Sequence, residues 1–161
     1  MIVVVADTSP LNYLVQINCD HVLPALYERV FVPTAVVEEL DHPKSVAAVR
    51  AWLTRLPSWL LVEQVTDAAD VRLARLDPGE RQAIQLAKRE RADLLLMDER
   101  LGVRIAREEG LAVTGTLGVL LQAARHLLVD LEAALTDLQN TDFRCSRRVM
   151  EEVRRRAKAS T

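Results

Sequence analysis

The chain has 161 residues, of which half are hydrophobic and only 4% are aromatic. This length fits one domain with a sizeable core, and the scarcity of aromatic residues disfavours an all-β sandwich. The 21 basic and 23 acidic residues give a formal charge of −2, which excludes a generic polyanion binder, because affinity for a phosphate backbone comes from a local excess of positive charge.

In the first half of the chain, apolar runs alternate with helical patterns. The run IVVVA (2–6) predicts a fully buried strand, since it is continuous and β-branched. Ser9 and Pro10 predict the start of a helix, with Ser9 as the N-cap. The segments that follow predict a short helix over 22–28, a strand over 30–33, a helix that Pro33 opens and that runs to residue 40, an amphipathic segment over 45–56 and a strand over 59–65.

The second half continues the alternation. Asp77-Pro78-Gly79-Glu80 predicts the start of a long helix that runs to about residue 91. The later patterns predict a strand over 93–98, a helix over 99–109 ended by Gly110, a strand over 111–115, and helices over 116–128, 130–139 and 146–158. With no linker and no internal repeat, we expect one domain over residues 1–140 and a basic helical tail over 141–161.

The order of the elements predicts an α/β fold with a mostly parallel central sheet, because strands that alternate with helices are joined by right-handed crossovers. Ligands of such sheets bind outside the carboxyl ends of the strands. Asp7 follows the first predicted strand and Asp98 follows DLLLM. We therefore expect both carboxylates at one edge of the sheet.

Each of these two acids also has a structural explanation. Asp7 could cap the first helix, but Ser9 fills that role better, so Asp7 exceeds what capping requires. Asp98 could be the N-cap of the helix over 99–109, and no neighbour competes for that role. Position alone leaves both interpretations of Asp98 open.

Two glutamates in helices are further candidates. On the helix that follows Pro33, Glu39 falls at the border of the apolar face, whereas Glu38 points away from it. Glu80 belongs to a D-x-x-E capping box, which is a structural role, although a carboxylate in a first helical turn can also project into a shared site. Several carboxylates at one edge would repel each other unless a hard cation such as Mg²⁺ or Mn²⁺ lay among them. Such sites support in-line displacement at phosphorus.

The cysteines, Cys19 and Cys145, and the three histidines are scattered without the spacing of a disulfide framework or a zinc site. The N-terminal apolar run is too short for a signal peptide and lacks a basic start. No window approaches the roughly 20 apolar residues of a membrane span. We expect a reduced, cytoplasmic protein with no membrane contact.

Four segments in order resemble the PIN-domain ribonucleases, the group that includes the VapC-type toxins of prokaryotic toxin–antitoxin pairs. The resemblance covers roughly residues 2–125. The segments are VVADTSPL, VPTAVVEEL, DPGERQAIQLA and LLLMDERLGVRIAREEGL.

The resemblance implies a three-layer α/β/α sandwich and cleavage of RNA that depends on Mg²⁺ or Mn²⁺. It also implies an antitoxin protein as partner and a homodimer. The third acid is often Asp in the toxins, and the longer Glu here could shift the metal. Glu99 could assist the fourth acid, and Thr8, Ser9 and Thr116 are further polar candidates that capping also explains. The acids it marks as catalytic and metal-binding are Asp7, Glu39, Glu80 and Asp98.

Three other folds fit poorly. A receiver domain would need an acidic pair after the first strand and a Lys near the end of the last one, but Asp7 is followed by Thr8 and LAVTGTLG has no Lys. The P-loop and dinucleotide-binding folds are disfavoured because no Gly-rich phosphate loop follows a strand. The alternative that stays open is a PIN-like module that binds RNA or a protein without cutting, although such a module would need none of the four acids.

The C-terminal segment is basic. Between residues 144 and 158 there are seven basic residues and two acids. The segment could be a solvated helix end, an RNA-backbone contact or a dock for an acidic partner segment.

Overall fold

A five-stranded sheet lies at the centre of the protein, in a computed structural model that describes residues 2–159. The strands are β1 Val4–Ala6, β2 Val30–Pro33, β3 Leu60–Glu63, β4 Leu94–Leu96 and β5 Val113–Thr114. They are all parallel and lie in the order β3-β2-β1-β4-β5. Each lies within a predicted strand but is shorter by two or three residues, except β2, which matches its prediction.

Helices connect and cover the strands. In the described residues they are α1 Thr8–Gln16, α2 Val22–Tyr27, α3 Thr34–Leu40, α4 Ala47–Leu53, α5 Pro78–Arg89, α6 Arg100–Glu108, α7 Thr116–Arg125, α8 Leu131–Gln139 and α9 Arg147–Lys158. A 3₁₀ turn over Val71–Leu73 was not predicted. The prediction that Gly110 ends α6 is confirmed, since Gly110 follows the helix with a φ of 85°.

Two predicted helix starts are wrong, and the structure answers the question that the sequence left open at Asp98. Helix α1 begins at Thr8 with Asp7, not Ser9, at the N-cap position. Pro33 is the last residue of β2 and the N-cap of α3. Glu99, not Asp98, is the N-cap of α6, and its side chain accepts a hydrogen bond from the Leu101 amide.

The two faces of the sheet bury separate cores. In β1, Val4 and Ala6 face the larger core, which they share with α1, α2, α7 and α8, whereas Val5 faces a second core with α5 and α6. Alternating side chains of a strand point to opposite faces, so a sheet covered on both sides needs continuous apolar strands. Helices on both faces confirm the predicted three-layer α/β/α sandwich.

The strand order reverses between β1 and β4. From β1 the chain moves to β2 and β3 on one side, and then returns to place β4 and β5 on the other side. Ligands of open parallel sheets bind at such a switch point, beyond the carboxyl ends of the strands. The Asp7 amide donates a 2.8 Å hydrogen bond to the Leu96 carbonyl, which fixes the end of β1 against β4.

Helix α9 packs on the larger core. Met150 and Val153 are buried, and Met150 joins the core that contains Leu135 and Leu138. The boundary at residue 140 stays a prediction. Within residues 2–159, every helix is too short or too polar to serve as a membrane span.

Candidate functional site

Asp7 is a buried carboxylate, and one of its two oxygens makes no hydrogen bond in the described residues. It is 3% exposed and occupies the N-cap position of α1, but its side chain does not cap the helix. Its Oδ1 atom has no hydrogen-bond partner in the described part of the chain. Burial raises the pKa of Asp7 to about 8 against the lowering effect of the Thr8 amide, and the charges of Glu80, Asp77 and Glu39 raise it further.

Glu39 is held by two hydrogen bonds. The Thr8 hydroxyl donates to Oε2 at 2.6 Å, and the Gly79 amide donates to Oε1 at 2.8 Å. Burial raises the pKa of Glu39, the charge of Asp77 adds to the rise, and the two donors oppose it. The first turn of α5 thus orients a carboxylate that comes from α3, as expected of a helix N-terminus, which favours negative charge.

Glu80 has the capping role that the sequence predicts, and it lies near other acids. Its amide donates to Oδ1 of Asp77 at 2.8 Å, and its Oε2 atom accepts from the Asp77 amide at 3.3 Å, which completes the capping box. Burial and the charges of Asp77 and Glu99 raise the pKa of Glu80 to about 7. The residue therefore caps α5 and also lies in the field of neighbouring acids.

Asp98 is bound at the start of α7. Its Oδ1 accepts from the Thr116 amide at 2.8 Å, and its Oδ2 accepts from the Thr116 hydroxyl at 2.6 Å. Burial raises the pKa of Asp98, and both bonds from Thr116 lower it. Its two oxygens are therefore positioned by a residue that is itself fully buried.

The structure brings part of the predicted set together. Asp7, Glu39 and Glu80 lie close enough that the charges of the two glutamates raise the pKa of Asp7. Asp98 follows β4, which is the neighbour of β1 at the same edge of the sheet. No three His, Cys, Asp or Glu side chains in residues 2–159 are arranged as a ready metal cage. The assignment of all four acids to one site stays a prediction.

The donor set nevertheless suits a hard divalent cation. All the candidate ligands are carboxylates, which Mg²⁺ and Mn²⁺ prefer, and Mg²⁺ commonly binds one or two carboxylates and keeps several waters. The Asp7 Oδ1 atom is buried and unpartnered. Repulsion among the acids, which a cation would relieve, contributes to the raised pKa of Asp7. The residues present therefore fit such an ion.

Two nearby acids were not predicted as site residues. Asp77 was predicted only as a helix cap, yet its charge raises the pKa of each of the three clustered acids. Asp142 lines the same groove as Thr8 and Glu39. It accepts a hydrogen bond from Tyr13. Burial and this contact with Asp142 raise the pKa of Tyr13 to about 12. The D-x-x-E pattern could have flagged Asp77, but nothing in the sequence pointed to Asp142.

The basic residues of the C-terminal segment are largely paired. Ion pairs join Arg147 to Glu151 and Arg154 to Glu132. Glu152 pairs with the two arginines that follow it, at 155 and 156. These contacts favour the interpretation of α9 as a solvated helix face.

A comparison with protein families matches nearly the whole chain. A family model described as a PIN domain covers residues 3–159, which includes all five strands and α9. No curated protein and no solved structure matches the chain.

Proposed function

The chain belongs to the PIN-domain family, and from this we propose that it is a divalent-metal-dependent endoribonuclease. PIN domains are generally nucleases that bind nucleic acid and use divalent metals, so the chain has a nuclease-like fold. RNA as the substrate, Mg²⁺ or Mn²⁺ as the ion and a role as the toxin of a toxin–antitoxin pair are the specific parts of this proposal.

One observation carries the proposal. Asp7 lies at the end of β1, beside the switch point of the sheet, with a buried and unpartnered Oδ1 atom. A protein gains no stability from such a group, because burial and the neighbouring charges both oppose its ionised form. Groups with strongly perturbed pKa values gather at functional sites. A bound cation would give the Asp7 Oδ1 atom the partner that it lacks.

The residues that would hold the ion are Asp7, Glu39, Glu80 and Asp98. A bound Mg²⁺ or Mn²⁺ supplies Lewis-acid activation of water and of the scissile phosphate. The chain supplies rigidity: β1 fixes the backbone of Asp7, Thr8 and Gly79 orient Glu39, and Thr116 orients Asp98. Glu80 would add a carboxylate from the first turn of α5, where the capping box holds its side chain.

A module that binds RNA or a protein without cutting is the alternative. The cost of keeping Asp7 buried and Glu80 half-buried beside other acids argues against it, since binding alone would not require them. In the toxin hypothesis the protein acts in the cytoplasm as a homodimer and is inhibited by an antitoxin protein.

The test is an RNA cleavage assay with purified full-length protein. Single-stranded and structured RNAs are incubated with Mg²⁺ or Mn²⁺, and a matched sample contains EDTA. We expect new ends only in the samples with metal. Cleavage that survives EDTA would exclude a metal-dependent reaction, and RNA binding without any cleavage would favour the alternative.

A further inference from the structure

Asp77 precedes α5 and caps it with one of its two carboxylate oxygens. Its Oδ1 atom accepts a 2.8 Å hydrogen bond from the Glu80 amide, and the Asp77 amide donates to Oε2 of Glu80 at 3.3 Å. A helix cap needs only one acceptor oxygen. The residue is exposed, so its second oxygen, Oδ2, can bind a ligand from solvent.

The carboxyl group of Asp77 also meets two other acids of the candidate site. It is in hydrogen-bonding contact with the carboxyl groups of Glu39 and Glu80. Carboxyl groups in such contact share a proton or a cation, because two bare negative charges at this range repel each other. The capping box explains why Glu80 is near. Glu39 comes from α3, and capping of α5 does not require it.

Hydrogen bonds from two other segments hold Glu39 beside Asp77. The Gly79 amide, two residues after Asp77, donates to Oε1 of Glu39 at 2.8 Å, and the Thr8 hydroxyl donates to Oε2 at 2.6 Å. Both oxygens of Glu39 are therefore fixed from outside its own helix. The protein stabilises a pair of acids, Asp77 and Glu39, that would repel each other without a countercharge.

Asp7 gives an independent indication that a cation binds here. It is 3% exposed, and its Oδ1 atom has no hydrogen-bond partner in the described residues. The charge of Asp77 acts on Asp7 together with the charges of Glu80 and Glu39. Because Asp77 is exposed and Asp7 is buried, the acids extend from solvent to the unpartnered oxygen.

We propose that Asp77 binds the divalent cation of the site through Oδ2 while its Oδ1 atom still caps α5. The cation would take the place of the proton that Asp77 and Glu39 share, and that proton would be released to solvent. This inference rests on the proposed metal-dependent function. It adds an acid to the four that the family resemblance marks, and it makes one carboxylate common to the ion and the start of α5.

Asp77→Asn separates the two roles of the residue. Asparagine has the shape of aspartate and caps a helix equally well, so the metal-free variant should melt as wild type does. It carries no charge for a cation, and we expect the Kd for Mn²⁺ to rise about tenfold, the low end of the range for residues that tune a metal site. Isothermal titration of the full-length, metal-free proteins with Mn²⁺ at pH 7 measures this.

Asp77→Ser is the second variant. Serine also caps a helix well, but its shorter side chain has no carboxylate, so the same loss of Mn²⁺ affinity is expected. The matched control is Asp130→Asn. Asp130 caps α8 by accepting a 3.0 Å hydrogen bond from the Ala133 amide, so this variant should bind Mn²⁺ as wild type does.

Salt distinguishes a bound carboxylate from a distant charge. Screening weakens the attraction between a cation and an exposed charge that does not touch it, whereas a direct contact is retained. We expect the difference between wild type and Asp77→Asn to persist in about 0.5 M KCl. A difference that disappears there, or an equal Kd for wild type and Asp77→Asn at low salt, would overturn the proposal.

This inference and the proposed function fail in different ways. If wild type and Asp77→Asn bind Mn²⁺ equally and both cleave RNA, the metal-dependent function stands and Asp77 is only a helix cap. If Asp77→Asn loses Mn²⁺ affinity but wild type never cleaves RNA, the cation site stands and the nuclease function is wrong. If wild type binds no Mn²⁺, both are wrong.

Discussion

The amide of Gly79 and the carboxylate of Glu39 lie in direct contact, with a hydrogen bond of 2.8 Å to Oε1. The contact depends on the absence of a side chain, because a Cβ at position 79 would lie 2.5 Å from Oε1 and 2.6 Å from Oε2. Position 79 therefore serves the site as well as the start of α5.

We expect Gly79→Ala to displace Glu39 and to lower cleavage strongly without unfolding the protein. The displaced atoms are at the end of a flexible side chain, and alanine favours the helix by roughly 0.5–1 kcal/mol over glycine. This gain offsets part of the lost hydrogen bond. Cleavage rates and urea unfolding of the same preparation separate the two effects.

The matched control is Gly110→Ala. Gly110 has a φ of 85° and open space around its Cβ position, so alanine there should cost about 1 kcal/mol of stability and leave cleavage unchanged. Equal cleavage by wild type and Gly79→Ala would show that the position of Glu39 does not matter for the reaction.

Asp7→Asn should abolish most of the activity and keep the fold. The substitution retains the size of the side chain and removes a charge that burial and neighbouring acids destabilise. We expect cleavage to fall by about a hundredfold or more, which corresponds to a loss of a few kcal/mol of transition-state stabilisation. Initial rates in Mn²⁺, with the melting temperature as a check on folding, measure this.

Glu38→Gln is the internal control for that experiment. Glu38 is next to Glu39 in sequence but exposed on the outer face of α3, so its rate should equal that of wild type. If Asp7→Asn cuts RNA as well as wild type does, Asp7 is not part of the reaction.

The metal-free protein should become less stable as the pH rises. An acid whose pKa is higher in the folded state binds its proton more tightly there, so the free energy of unfolding falls between the usual carboxyl pKa and the raised one. For Asp7 the upper limit is a pH of about 8, and for Glu80 it is about 7. Urea unfolding in EDTA from about pH 5 to 8 should show a loss of a few kcal/mol. Asp7→Asn should flatten the profile, and a flat wild-type profile would contradict the raised values.

Addition of Mn²⁺ should stabilise the protein and release protons. At neutral pH Asp7 and Glu80 carry protons for much of the time, and a bound cation displaces them. A ligand at a hundred times its Kd stabilises a fold by about 2.7 kcal/mol, which raises the melting temperature by several degrees for a chain of this size. Calorimetry in two buffers of different ionisation enthalpy counts the protons. The absence of a thermal shift at millimolar Mn²⁺ would count against a metal site.

Thr116→Val should alter the pH dependence of cleavage. Valine has the shape of threonine but cannot make the 2.6 Å bond to Asp98, whereas the backbone bond is retained. The Thr116 hydroxyl lowers the pKa of Asp98, so the acidic limb of the pH–rate profile should move to higher pH. We expect a loss of stability of about 1 kcal/mol.

Thr54→Val removes a hydroxyl that bonds the Ala51 carbonyl in an exposed turn. Its profile should match that of wild type. A profile of Thr116→Val that also matches would mean that Asp98 does not titrate in the reaction.

Local patterns in the sequence were sufficient to predict the layers of the fold and the acids that follow its strands. The continuous runs at β1 and β4 are buried on both faces, and their period and length are visible in the sequence itself. The capping box of Asp77 and Glu80 lies within four residues, so it could also be predicted from the sequence.

The tertiary structure decided what each acid contacts. The N-cap of α1 is Asp7 rather than Ser9, and the Asp7 amide is bonded to a carbonyl of β4, a strand far away in the chain. Asp98 is bound by Thr116 rather than by its own helix for the same reason. Hydrogen bonds between distant segments depend on the packing of whole elements, and sequence periodicity carries no information about them. The nearness of Asp142 to the site follows only from the way the C-terminal segment folds back against Tyr13.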